Sequence, residues 1–258
     1  MQNFTKILGN FLAVAVLSVG LATAQTNSAA RYDESITTTA TQKLASRSKF
    51  GNVKASTQDG VITLTGTVPL YQDKLDAAKD VRKVKNAQGV RNLIEVTGTS
   101  VPDEKLTAQL QRKIFYDRIG YFDSPFNFIE AMVKDGTVTL TGDAYYSVSR
   151  DSAVAIATRM PGVKDVVDHV RILPTSPFDD RIRRGAMRTI YGDSVLSRYA
   201  IDPAKPIRII VDGGHVTLYG TVQNTMDKQV AGIRAGSLPG AFSVQNNLTV
   251  ENDSKQGL

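Results

Sequence analysis

The residues best suited to catalysis or metal binding are scarce in this chain. It contains two histidines, His169 and His215, and no cysteine. A metal centre or a nucleophilic triad needs several such groups converging on one point, and neither histidine belongs to an HExxH or similar spacing. The recurring glycines are separated by apolar stretches rather than clustered in a phosphate-binding loop. The sequence therefore predicts no catalytic site, no metal site and no cofactor.

A second group of residues could bind an anionic surface. It comprises Arg181, Arg184 and Arg188, with Arg183 on its flank. The spacing i, i+3, i+7 places the first three on one helix face, opposite the apolar residues. Near an anionic membrane each arginine contributes about 1 kcal/mol, so charge alone predicts a weak, reversible attachment. An ordinary solvated helix face is the alternative.

A further basic cluster ends a predicted helix and comprises Arg82, Lys83 and Lys85. The negative end of a helix dipole already favours cations at that position. A structural role therefore explains this cluster better than binding does.

The middle of the chain is rich in aromatic residues. The candidates are Phe115, Tyr116, Tyr121, Phe122, Phe126 and Phe128, extended by Tyr145 and Tyr146. Such rings beside a sheet edge can insert at a lipid interface or fill the groove of a protein partner. They can equally pack a local core under a longer loop, and the sequence leaves both interpretations open.

The elements that position these residues come from a stretch that occurs three times, at 59–66, 135–142 and 213–220. In each, an Asp-Gly or Gly-Gly pair predicts a tight turn, and alternating Val, Ile and Thr predict the second arm of a β-hairpin. A last glycine lets the chain bend away at the strand end. The structural glycines are Gly60, Gly66, Gly136, Gly142, Gly214 and Gly220.

An amphipathic helix is predicted on each side of every hairpin. The first begins at an acidic pair, which we expect to cap its N–H groups, and its apolar residues recur at i, i+4, i+8, as in Ile36, Ala40 and Leu44. The second is predicted over 71–84, 148–160 and 225–238. A final strand follows, over 90–96, 163–173 and 242–250.

Each copy is therefore an αββαβ unit, and the predicted fold class is α+β, with three tandem two-layer sandwiches. The predicted boundaries are 25–98, 99–174 and 175–251, followed by a tail over 252–258.

Residues 1–24 are typical of a cleaved export signal, because Lys6 precedes an apolar run and Ala22-Thr23-Ala24 forms a small-residue site. That run is short for a membrane span. Export and a formal charge of only +6 disfavour nucleic acid as a partner.

The hairpin pattern Asp-Gly-x-Val-Thr-Leu-x-Gly, followed by a helix, a Gly-Val step and a last strand, resembles the BON domain. Three copies cover nearly all of the chain after residue 24. Copy one lacks the Pro-Gly step, and copy three carries Tyr219 in place of Thr and Ala241 in place of Val.

The resemblance implies a non-enzymatic periplasmic module of the osmotically inducible type. It predicts association with an anionic phospholipid membrane, in support of envelope integrity or osmotic-stress tolerance. The alternative is a protein–protein adaptor that docks to an outer-membrane or secretion component.

Overall fold

The structure, a computed structural model, describes residues 29–117, 125–200 and 206–251. In these ranges the order helix, hairpin, helix and divided final strand occurs three times, and in the third unit the second arm of the hairpin is also divided. The first unit comprises α1 (Asp33–Ala45), β1 (Val53–Gln58), β2 (Val61–Val68), α2 (Tyr71–Val81), β3 (Gly89–Asn92) and β4 (Glu95–Val96). The second comprises α3 (Asp103–Phe115), β5 (Phe128–Lys134), β6 (Thr137–Ala144), α4 (Ser147–Arg159), β7 (Asp165–Asp168) and β8 (Arg171–Ile172). The third comprises α5 (Pro177–Tyr191), β9 (Arg208–Asp212), β10 (His215–Tyr219), β11 (Thr221–Val222), α6 (Thr225–Gly236), β12 (Ser243–Asn246) and β13 (Thr249–Val250).

The strands of each unit pair only with one another, in a four-stranded sheet in the first and second units and in a three-stranded and a two-stranded sheet in the third, and each unit has its own core. The hairpin strands pair antiparallel, and the second arm then pairs in parallel with the final strand after the helical crossover. The apolar rows predicted for the first helices and the hairpins are buried, with Ile36, Ile62 and Leu64 at 0% exposure in the first unit. The described residues therefore confirm the α+β class and the repeated helix–sheet sandwich.

One acidic residue in the first turn of each first helix holds the hairpin turn rather than capping its own helix. The carboxylate of Asp33 accepts the backbone N–H groups of Asp59 (2.9 Å) and Gly60 (2.8 Å). The equivalent contacts in the other units join Asp103 to Asp135 and Gly136, and Asp179 to Gly213 and Gly214. The capping prediction is wrong for these residues, because the turn brings two free N–H groups within reach of the carboxylate. We call this contact the turn clamp.

The predicted final strand is broken in every unit. In the first, the side chain of Asn92 accepts the N–H of Ile94 (3.3 Å), while the N–H of Leu93 donates to the carbonyl of Leu64 (2.8 Å). Asp168 and Asn246 make the same local bonds to Val170 and Leu248. Such side-chain bonds compete with the strand ladder. Alternation in the sequence predicts a strand but does not reveal this interruption.

The second recurring glycine of each hairpin lies where the second arm closely approaches the start of the first. Gly66 and Gly142 lie within β2 and β6, so the strand-end prediction is wrong for them, whereas Gly220 follows the last residue of β10, as predicted. Gly142 has φ 105°, and a Cβ there would lie 2.1 Å from the carbonyl oxygen of Phe128. Gly66 and Gly220 meet the backbone of the first strand's start in the same way. Strands β2 and β6 continue beyond these glycines and change partner, from β3 to β4 and from β7 to β8. The turn glycines Gly60, Gly136 and Gly214 have positive φ, as a tight turn requires.

Candidate functional site

The aromatic segment of the second unit lies at its junction with the third. The ring of Phe128 stacks on that of Tyr219, with centroids 4.0 Å apart and planes 5° apart. Phe126 packs against the core of the third unit and meets Tyr145 edge-on at 5.8 Å. The sequence left open whether these rings bind a lipid or partner or pack within the protein. Phe126 and Phe128 pack within the protein.

Polar contacts reinforce this junction. The N–H of Ile209 in β9 donates to the carbonyl of Pro125 (2.8 Å). The guanidinium of Arg171 contacts Asp143 in its own unit (2.8 Å) and Asp212 in the third. Backbone and side chains therefore both bind the second unit to the third.

Arg183 was predicted on the flank of an exposed basic stripe, and this prediction is wrong. It is 1% exposed, and its guanidinium donates to Asp180 (2.6 Å) and to the carbonyl of Val211. Its guanidinium carbon also lies 4.6 Å from the ring centroid of Tyr145. The second unit covers this side of α5, which helical periodicity within one unit cannot indicate. Arg183 is therefore a junction residue.

The Tyr145 hydroxyl completes the junction by donating to Asp180 (2.8 Å). Burial, followed by this hydrogen bond, raises the pKa of Tyr145 to about 12. Burial alone would raise the pKa of Asp180, but hydrogen bonds from Tyr145 and Arg183 hold it below its ordinary value. At neutral pH the junction therefore contains a neutral phenol, a carboxylate and a guanidinium in mutual contact.

The remaining aromatic candidates have differing surroundings. Tyr116 is 48% exposed at the end of α3, where Arg112 lies 5.9 Å from its ring, and Tyr146 is 55% exposed beside Tyr145. Phe115 is half-buried and packs against the core of the second unit. Tyr121 and Phe122 lie outside the described residues.

The other three arginines of the predicted stripe are exposed on α5. They are Arg181, Arg184 and Arg188. Their direction follows from the row Ile182, Ala186 and Ile190, which is buried in the core. The side chain of Ser176 caps this helix by accepting the N–H of Asp179 (3.2 Å), and the turn clamp of Asp179 fixes it to the hairpin.

Two phenylalanines that the sequence pattern did not single out lie beside this stripe. Phe242 is 71% exposed, and its ring centroid lies 5.6 Å from that of Phe178 at the start of α5. Arg181 lies 6.0 Å from the Phe178 ring. Phe242 was missed because it occupies the first position of the predicted last strand, where periodicity does not separate a core residue from a strand-end residue. We call Phe178, Phe242 and the three exposed arginines the basic-aromatic face.

A groove adjoins the basic-aromatic face, between α5 and the Pro-Gly turn that follows α6. Its volume is about 420 Å³. Ile182, Leu238 and Pro239 contribute apolar lining, and Arg181 and Arg188 lie at its edge. The groove can accept an apolar chain while the guanidinium groups contact an attached anion.

The two histidines belong to different units. His169 is exposed at the break in the last strand of the second unit, and the Nδ1 of His215 lies 2.8 Å from the Ser243 hydroxyl. Within the described ranges, no three His, Asp or Glu side chains are placed to hold one metal ion. In the same ranges, no helix has the length and apolarity needed to cross a membrane.

Comparison with known proteins identifies the repeated unit. The family model described as BON domain matches residues 32–98, 102–174 and 193–252. The third match begins after α5, but the turn clamp of Asp179 gives α5 the same place in its unit as α1 and α3. No curated protein matches the chain.

Among solved structures, the chain is similar to CdsD, a structural protein of the type III secretion system of Chlamydia trachomatis. The two sequences are 14% identical, the match covers 80% of this chain and 90% of that chain, and the TM-score is 0.22. It is also similar to the periplasmic domain of PrgH, a type III secretion inner-membrane protein from S. typhimurium, with 10% identity, 82% and 98% coverage, and a TM-score of 0.19. At these values neither likeness carries an argument about function.

Proposed function

This chain belongs to the BON-domain family, and from that premise we propose that it is a non-enzymatic periplasmic protein that associates with anionic phospholipid membranes through its third unit and so supports the cell envelope. The observation that carries the proposal is the basic-aromatic face. Arg181, Arg184 and Arg188 are exposed next to Phe242, which is 71% exposed. Cations and an aromatic ring together suit the headgroup region of an anionic bilayer.

The contacts of the third unit explain why this face, rather than the aromatic segment of the second unit, is proposed to meet the membrane. Phe126 and Phe128 are engaged at the junction, and Arg183 is buried there. Three exposed arginines at about 1 kcal/mol each give about 3 kcal/mol, which is roughly a hundredfold in the binding constant. Insertion of an aromatic ring adds an apolar contribution that salt does not screen.

Sedimentation with vesicles tests the proposal. We expect the protein to pellet with phosphatidylglycerol vesicles, less so at high salt, and not with phosphatidylcholine vesicles. The triple substitution of Arg181, Arg184 and Arg188 by Ser lowers the binding constant roughly a hundredfold, and Phe242→Ser lowers it further. The matched control replaces the basic cluster Arg82, Lys83 and Lys85 by Ser and leaves binding near the wild-type level. Equal loss in both triple variants would contradict a specific face.

A second candidate function is that of a protein–protein adaptor, and exposed apolar residues on α6 favour it. Met226 is 62% exposed and Ile233 is 70% exposed, seven residues apart on one side of the helix. Large exposed apolar side chains on one face are typical of a protein-binding surface. Co-purification of an envelope protein that is lost in Met226→Ser/Ile233→Ser, with vesicle binding unchanged, would support the adaptor.

A further inference from the structure

The second unit carries a groove in the same place as the groove of the third. It lies between α3 and the turn after α4, and its volume is about 620 Å³. Val101, Met160 and Pro161 contribute apolar lining, and Arg112 and Lys113 supply two cations. Both grooves are therefore formed by the first helix of a unit and the Pro-Gly turn that follows its second helix.

The turn clamp shows which residues of the second and third units are equivalent, because Asp103 and Asp179 make the same contact in their respective units. Counting from these residues, Arg112 of the second unit corresponds to Arg188 of the third. Met160-Pro161 corresponds in the same way to Leu238-Pro239, because both pairs close the second helix. The cation and the apolar residues thus occupy matching places in two independent copies.

The first unit differs at these positions. Gln42 stands where the other units have Arg112 and Arg188, and Ser35 stands where the third unit has Arg181. The Ser35 hydroxyl donates to the carbonyl of Tyr32 (2.8 Å) within its own helix. At the position of Arg112 and Arg188, the second and third units therefore share a cation that the first unit lacks.

We propose that the groove of the second unit is a second binding site for an anionic phospholipid, so that one protein molecule binds two lipids. The inference rests on the proposed function of the third unit. Arg112 and Lys113 contact the phosphate, and Val101, Met160 and Pro161 contact the first part of an acyl chain. Tyr116 lines the same groove, is half-exposed and lies 5.9 Å from the guanidinium carbon of Arg112, and it covers the glycerol region. The two grooves, of about 620 and 420 Å³, are within the size range of ordinary ligand sites.

The test is a titration of the full chain with short-chain phosphatidylglycerol below its micelle-forming concentration. Native mass spectrometry counts the bound lipids, and backbone amide shifts locate them. We expect two lipids for the wild type, with shifts at Gln109 and Met160 and at Gly185 and Leu238. Arg112→Ser/Lys113→Ser leaves one lipid and the shifts of the third unit alone.

The complementary variant, Arg181→Ser/Arg188→Ser, is expected to leave one lipid and the shifts of the second unit. Tyr116→Ser weakens only the second-unit site and provides an independent variant if the double substitution disturbs folding. Lys43→Ser, at the first-unit position that matches Lys113, is the control and retains two lipids.

One lipid on the wild type, lost in Arg181→Ser/Arg188→Ser and unaffected by Arg112→Ser/Lys113→Ser, overturns the second site while the proposed function stands. Absence of any lipid, on the monomer and on vesicles alike, overturns both. Inorganic phosphate at the same concentration must fail to reproduce the shifts at Met160, since the apolar lining does not contact it. Equal shifts with phosphate would assign the groove to a free anion and contradict the proposal.

Discussion

The guanidinium carbon of Arg183 lies 4.6 Å from the ring centroid of Tyr145, although the two residues belong to different units. Asp180 accepts hydrogen bonds from both side chains and so closes a triangle across the junction. Arg183 is the largest fully buried side chain of the described chain, and it also donates to the carbonyl of Val211. The buried Arg183 charge therefore has two partners in its own unit, Asp180 and Val211, and contacts the second unit through Tyr145.

Truncation of Arg183 tests the energetic weight of this triangle. Arg183→Ala removes one of the two donors to the Asp180 carboxylate and the guanidinium donor to the Val211 carbonyl, and we expect it to lower the free energy of unfolding by about 3 kcal/mol. Urea unfolding measures the loss. The neighbouring exposed residue supplies the control, since Arg184→Ala is expected to change stability by no more than about 0.5 kcal/mol. Equal stability of the two variants would show that the junction does not depend on Arg183.

The ionisation of Tyr145 gives the junction a dependence on alkaline pH. Its folded-state pKa is raised to about 12, against an ordinary value of 10.0. A raised phenol pKa means that the stabilisation is complete below pH 10 and is lost as pH rises from 10 towards 12. We expect the NMR titration of the Tyr145 ring to be displaced upwards relative to that of a tyrosine in a short peptide. The stability difference between wild type and Tyr145→Phe should narrow over the same range. A ring that titrates at the ordinary value would contradict this account.

The turn clamp is open to a direct test in the second unit. The Asp103 carboxylate accepts N–H groups from Asp135 (2.6 Å) and Gly136 (3.0 Å). Asp103→Ala removes both charge-assisted bonds, and we expect a loss of about 2 kcal/mol and faster hydrogen exchange at these two amides. Glu104→Ala changes the adjacent acidic residue and should leave both amides protected. If both variants exchange alike, the acidic pair acts only through its charge at the helix start.

The close approach of Gly142 to the backbone of Phe128 can be tested by adding a Cβ atom. Gly142→Ala places a Cβ 2.1 Å from the Phe128 carbonyl oxygen at a φ of 105°, so the backbone must shift. We expect a loss of at least about 2 kcal/mol in the free energy of unfolding. Gly89→Ala is the matched control in a strand, because nothing lies within 4 Å of an added Cβ there. A change within about 1 kcal/mol is expected for it.

The sequence predicts the repeated unit well because periodicity within one helix or strand is local. The row Leu106, Leu110 and Ile114 is predicted from spacing alone and is fully buried. The hairpin turn follows from a Gly that accepts positive φ, as at Gly136. Neither inference requires knowledge of another element.

Contacts between distant elements could not be predicted in the same way. Asp103 reaches a turn 32 residues further along the chain, and no local pattern separates that role from helix capping. Arg183 and Arg184 are adjacent residues of one type, yet only the first is buried, because the second unit packs against it. The aromatic segment was ambiguous for the same reason, since its partner Tyr219 belongs to the next unit.

The basic-aromatic face is proposed to meet an anionic bilayer, and hydrogen exchange with and without phosphatidylglycerol vesicles tests this contact most directly. We expect added protection on α5, over Pro177–Tyr191, and around Phe242, with none on α1, over Asp33–Ala45. Phosphatidylcholine vesicles should leave every segment unchanged. Protection that is absent throughout, or confined to α1, would contradict the claim.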